Sequence, residues 1–134
     1  MKILVIEDSR FLRIAIERVL TKAGHSVASA ADGREGLEAA QASLPELILL
    51  DMMLPGLEGT GVLKALKADP STQLIPVIVL TGLAQRNEEK LKDAGAAAYI
   101  EKSSLNFEQN AEALVRSVEK VLKGRTPAQQ PTRA

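Results

Sequence analysis

The sequence contains no cysteine, no tryptophan and a single histidine. Without cysteine there is no disulfide framework and no thiolate chemistry, which fits a reducing compartment, so a cytoplasmic location is expected. One histidine and no cysteine leave no ligand set for a soft metal such as zinc; any metal here is held by oxygen. Two phenylalanines and one tyrosine offer little to stack on a flavin or a nucleobase, and neither G-x-G-x-x-G nor a Walker sequence occurs. Basic and acidic residues number 17 each, so no bulk charge points to nucleic acid or a membrane surface. The opening MKILVIEDS is too short for a signal peptide and no apolar run approaches transmembrane length, so no membrane insertion is expected. What remains is an ordinary globular balance: 134 residues, 46% hydrophobic and 25% charged, enough for one domain with its own core.

The most informative stretch is LILLDMMLPGLEG, from Leu47 to Gly59. Leu47 to Leu50 show no polar alternation, the pattern of a strand buried on both faces in a parallel sheet. The run ends in Asp51, and a carboxylate there is costly to desolvate unless something needs it.

The rest of the chain alternates between strand and helix signals. Ile3–Ile6 reads as the first strand, ending in Glu7 and Asp8. Ser9 reads as an N-cap for a helix with Leu12, Ile16, Val19 and Leu20 on one face, closed by Gly24. His25 beside that helix end reads as a surface residue favourable to the dipole. Ser26–Ala30 is a weaker strand, polar enough for an edge. Asp32 and Glu35 suggest a capping box for a helix with Leu37 and Ala40 inward. Gly59–Lys67 forms a third helix, stopped by Asp69-Pro70. Strands follow at Pro76–Leu80 and Ala97–Ile100. Between them Asn87–Asp93 reads as a polar helix, thinly packed and suited to a switch. Asn106 caps a last helix with Leu114, Val118 and Leu122 inward, ending at Gly124. The expected domain is 1–123, with 124–134 a disordered tail rich in proline and glutamine.

Five strands alternating with five helices imply an α/β doubly wound parallel sheet with helices on both faces. Ligands of such sheets bind at the carboxyl ends of the strands. Glu7 and Asp8 follow strand one, Asp51 ends strand three, Thr81 follows strand four and Lys102 follows strand five, so all belong on one rim. Like-charged acids ~4 Å apart repel by about 4 kcal/mol at an effective dielectric of ~20. A hard cation such as Mg²⁺ relieves that repulsion with carboxylate ligands. A carboxylate beside Mg²⁺ and a lysine can accept a phosphoryl group as an aspartyl phosphate.

These residues resemble the receiver domain of two-component response regulators, single-domain and similar to the chemotaxis regulator, over about Lys2 to Leu122. The acidic pair Glu7-Asp8, Asp51 in DMMLPGLEG, Thr81-Gly82 and Lys102 carry the resemblance. It implies a flavodoxin-like five-stranded sheet in the order 2-1-3-4-5. It implies Asp51 as phosphoacceptor, and Mg²⁺ held by Glu7, Asp8, Asp51 and the Met53 carbonyl. Thr81 and Lys102 would contact the phosphoryl group, while Thr81 and Tyr99 would act as the switch pair. Partners would be a histidine kinase or histidine phosphotransfer protein and a downstream protein target, with no direct nucleic acid. Output would run through the face of helix four, strand five and helix five. Receivers commonly follow the lysine with a cis-proline. Here Ser103 follows, so a trans Lys102–Ser103 bond is expected. The family's lifetime-setting positions, Met53 and Leu83, are apolar and imply a long-lived phosphoaspartate.

Two other classes fit these residues less well. A haloacid-dehalogenase-type phosphohydrolase would carry an acid two residues after the nucleophile, where this chain has Met53. A phosphorylation-independent docking module would usually have lost an acid, the threonine or the lysine, and all are retained.

Overall fold

The strands and helices follow one another as β1 (Lys2–Ile6), α1 (Arg10–Lys22), β2 (Ser26–Ala30), α2 (Gly33–Ser43), β3 (Leu47–Asp51), α3 (Gly59–Ala68), β4 (Val77–Thr81), β5 (Ala98–Glu101) and α4 (Ala111–Lys123). The structure is a computed structural model and describes residues 1–52, 59–82, 95–102 and 111–124. The strands form one parallel sheet in the order β2-β1-β3-β4-β5. This is the expected flavodoxin-like order, with four helices among the described residues. The expected helix over Asn87–Asp93 lies outside them. So do Met53, Leu83, Ser103 with its peptide bond to Lys102, the Asn106 cap and the tail from 125 onward.

Successive strand residues point to opposite faces, and the sheet therefore carries two cores. Leu4, Ile6, Ile48 and Leu50 meet Ala40 of α2 and Val62, Leu63 and Leu66 of α3. Ile3, Val5, Leu47 and Leu49 meet Ile16 and Leu20 of α1 and Leu114 and Val118 of α4. All these side chains are buried, and each fully buried aliphatic contributes about 1.5–3 kcal/mol. That dual burial is why β3 and β4 show no polar alternation.

The helix ends follow their sequence signals. The Ser9 hydroxyl accepts from Leu12 N, and Asp32 Oδ1 accepts from Glu35 N at 2.8 Å. After α1, Gly24 N donates to Thr21 O and His25 N to Leu20 O, a Schellman closure with Gly24 at φ +99. His25 departs from expectation. It is half-buried with Nδ1 3.3 Å from the Met1 ammonium, and burial, then that neighbouring charge, lower its pKa, which disfavours the charge a contact with the helix dipole needs. β4 also begins one residue later than expected. Pro76 has no N–H to donate, although its carbonyl accepts from Ile48 N. The strand instead runs through Thr81, and β5 through Glu101, which brings Lys102 directly to the rim.

Candidate functional site

The order of strands reverses direction between β1 and β3, and the crevice above that point is where doubly wound sheets bind ligands. Glu7 and Asp8 leave β1 there, and Asp51 ends β3. Register places the neighbours: Ile6 lies opposite Leu50, Asp51 opposite Leu80, and Thr81 opposite Glu101. Four strands thus bring Glu7, Asp8, Asp51, Thr81 and Lys102 to one rim, as the sequence led us to expect.

Lys102 Nζ is 3.0 Å from Asp51 Oδ1 and 3.1 Å from Glu7 Oε1. Both acids have fully buried side chains, whereas the lysine is 31% exposed. Burial pushes the Glu7 carboxyl up to about 7, opposed by the Ser9 N–H bond at 3.0 Å, with Asp51 adding to the rise and Lys102 resisting it. On Lys102, desolvation works against the charge, but Asp51 and then Glu7 outweigh it and raise the ammonium's pKa.

Asp8 is exposed at the mouth. Ligand oxygens of Glu7, Asp8 and Asp51 lie within 4.8 Å of one another, an acidic group able to hold a metal ion. An all-oxygen set of carboxylates with room for water suits Mg²⁺ and excludes the soft metals. Met53, the expected carbonyl ligand, lies outside the described residues. The Thr81 hydroxyl is buried with no hydrogen-bond partner among the described residues. A buried hydroxyl left this way costs about 1–3 kcal/mol, so it suits a site completed by a ligand oxygen. Tyr99 is half-buried against the α2/α3 core and also lines a cavity of about 630 Å³ with Ser117 and Val121 of α4.

Two contacts escaped the reading of the sequence. The Glu7–Lys102 ion pair is one. The other is Arg13, whose Nη1 donates to the Glu7 carbonyl at 3.0 Å and lies 3.5 Å from that of Asp8. A signal for Arg13 existed: α1 has no acid in its first turn, and an arginine near the positive end of a helix dipole needs another partner.

A buried carboxylate beside an ammonium, a free-standing hydroxyl and a hard-cation site can together accept a phosphoryl group. Comparison with known proteins gives the family. A family model for the response regulator receiver domain matches residues 3–115. The gliding motility regulatory protein of Myxococcus xanthus is 40% identical over 118 residues, covering 87% of this chain but 15% of that protein. This chain therefore spans about a seventh of that relative's length. Protein PilH of Pseudomonas aeruginosa is 32% identical over 92% of this chain and 98% of its own. The solved chemotaxis response regulator CheY4 of Vibrio cholerae superposes with a TM-score of 0.79 at 30% identity, over 90% of this chain and 97% of that one.

Proposed function

The chain belongs to the response regulator receiver domain family, and from that premise we propose that it works as a phosphorylation-dependent signalling switch. The donor is a histidine kinase or a histidine phosphotransfer protein, and the acceptor is Asp51. One observation carries the reading: the buried Asp51 carboxylate lies 3.0 Å from the Lys102 ammonium, at strand ends shared with Glu7, Asp8 and the unpartnered Thr81 hydroxyl.

An Asp51 carboxylate oxygen attacks the phosphorus of the donor phosphohistidine. The P–N bond breaks, its electron pair stays on the imidazole nitrogen, and the phosphoryl group ends as an acyl phosphate on Asp51. Lys102 faces the charge that develops on the phosphoryl oxygens, and the Thr81 hydroxyl donates to one of them. Glu7, Asp8, Asp51 and the Met53 carbonyl would hold Mg²⁺, which when bound offsets that same charge. The chain is a regulator, with self-catalysed phosphotransfer and slow autodephosphorylation as its only chemistry.

The new group brings a charge of about −1.5 to −2 to a rim already rich in acids. Thr81 then moves toward it, Tyr99 follows into the space vacated, and the output face, made by β5, α4 and the helix expected from sequence over Asn87–Asp93, changes for a downstream protein target. Residues 1–123 are taken as the working unit, in the cytoplasm, with no direct contact to nucleic acid.

The test is intact mass and amide NMR with Mg²⁺ and acetyl phosphate, on the wild type and Asp51→Asn. The expected result is a Mg²⁺-dependent gain of one phosphoryl group, lost in the variant, with shifts at Tyr99. No adduct, even with beryllofluoride as a trap, would favour a phosphorylation-independent docking module.

A further inference from the structure

Asp8 poses a problem of placement. Its carboxylate is part of the acidic group, yet it is exposed, and among the described residues no side chain bonds it. Glu7 and Asp51 are held by Lys102, and Glu7 also by Ser9 N. Among the described residues, only its backbone keeps Asp8 near them.

That backbone is held by Arg13. Its guanidinium arcs back from α1, with Nη1 3.0 Å from the Glu7 carbonyl and 3.5 Å from the Asp8 carbonyl. Those two carbonyls belong to the peptide planes on either side of the Asp8 Cα. A peptide group is planar, so a bond to each carbonyl restrains both planes and with them the φ and ψ of Asp8. The direction of the Cα–Cβ bond follows from these. The helix supplies a firm base for this reach, because Arg13 N donates to Ser9 O at 2.8 Å and the Ser9 hydroxyl caps the same turn.

We infer that Arg13 is a positioning residue that sets the Asp8 carboxylate for a divalent cation. The inference rests on the metal-site reading under Proposed function. Arg13 suits the task because it bonds carbonyls. An arginine on the carboxylates would compete with the cation, as Lys102 does for Glu7 and Asp51, whereas Arg13 orders the site and leaves its acidic oxygens available. Outer residues that orient metal ligands typically cost about 10–100-fold in affinity when removed. A single exposed ligand places Arg13 at the lower end of that range.

The experiment is Mg²⁺ titration by calorimetry, with Mn²⁺ binding by electron paramagnetic resonance as a second probe. The proteins are the wild type, Arg13→Met, Arg13→Lys, Asp8→Ala and the Arg13→Met/Asp8→Ala double variant. Arg18→Met, exposed on the same helix, is the control. Arg13→Met is expected to weaken Mg²⁺ about 10-fold and Arg13→Lys less, with Arg18→Met unchanged. In Asp8→Ala the further change at Arg13 is expected to cost nothing, because the ligand it places is gone. With acetyl phosphate, the Mg²⁺ concentration for half-maximal phosphorylation rises in step, while the rate at saturating Mg²⁺ stays within about twofold of wild type. Equal affinity in Arg13→Met, or a loss that adds in full to that of Asp8→Ala, would overturn the inference. A fall in saturating rate with unchanged affinity would do the same. If Arg13→Met melts early, Arg13→Lys and the cycle measured below its melting temperature still decide. A wild type that binds neither ion overturns the metal-site reading itself and is distinguished by that first titration.

Discussion

Two buried threonines show how differently this chain treats its two ends. In the turn between α3 and β4, the Thr72 hydroxyl donates to the Leu66 carbonyl at 2.7 Å. Around it Asp69 accepts from Ser71 N, Ser71 Oγ and Gln41 Nε2 at 2.8–3.0 Å, and the Ser71 N–H above all holds its carboxyl below the usual range. Lys67, desolvated enough to lower its pKa, donates to the Gln73 and Ile75 carbonyls at 3.1 and 2.8 Å. At the rim, the equally buried Thr81 has no such partner among the described residues, Glu7 is pushed up to about 7, and one lysine serves two acids. The turn is built to be finished by folding. The rim is left with polar groups that folding does not finish among the described residues.

The largest break in that contrast comes from Lys102→Met. It removes the cation proposed to face the developing phosphoryl charge, and losing such a group typically costs about 10²–10³-fold in rate. Phosphorylation by acetyl phosphate, followed by intact mass at saturating Mg²⁺, is expected to slow by that factor. A rate within a few-fold of wild type would sink the role given to Lys102.

Next in size is the cost of charging Glu7. Its folded pKa of about 7 stands above the ordinary value of 4.5, so the native state binds this proton more tightly than the unfolded chain. The resulting stability is fully present below about 4.5 and is lost as pH rises through about 7. Without divalent cation, the melting temperature is therefore expected to fall over that window, and Glu7→Gln to flatten the fall and melt several degrees above wild type at pH 8. Saturating Mg²⁺ should narrow the difference by stabilising the charged rim. A Glu7→Gln protein that melts no higher than wild type at pH 8 would mean that the acids are at ease as they stand.

A matched pair of smaller changes sharpens the same point. Thr72→Val leaves the buried Leu66 carbonyl without its donor and is expected to cost about 1–3 kcal/mol in urea denaturation. Thr81→Val removes a hydroxyl that bonds nothing in the described structure, so it should leave stability unchanged or raise it while slowing phosphorylation. Equal destabilisation by both would erase the distinction between the two ends.

How much of this was legible beforehand follows the physics of each signal. Unbroken aliphatic runs announced β3 and β4, because burial on both faces leaves no position for a polar residue. Caps at Ser9 and Asp32 were legible, because a side-chain oxygen three residues before a helical N–H is a local relation. The rim residues were legible from parallel topology alone, since every strand delivers its last residue to the same edge. Their partnerships were not. That Lys102 would reach Glu7 as well as Asp51, or that Arg13 would bond two carbonyls, depends on side-chain reach across elements that no spacing encodes. The contact of His25 with the Met1 ammonium was hidden for the same reason: it comes from chain brought in from elsewhere, not from its own helix end.

The smallest effect tests whether strain alone marks function. Leu44 is the one non-glycine residue at positive φ among those described, at +46, and it is exposed. Its cause is local: Pro45 follows and disfavours the helical region, while Leu44 N still closes α2 on the Ala40 carbonyl at 2.9 Å. The left-handed region costs an L-residue roughly 1–2 kcal/mol, and glycine would return about 0.5–1 kcal/mol of that as unfolded-chain entropy. Leu44→Gly should then stabilise by at most about 1.5 kcal/mol in urea. Mg²⁺ affinity and phosphorylation rate should stay at wild-type values, because Leu44 sits at the amino end of β3 and Asp51 at the other. A change in either would tie strain at the far end to the rim. No change would leave incomplete polar groups, rather than a strained backbone, as the mark of the working end of this sheet.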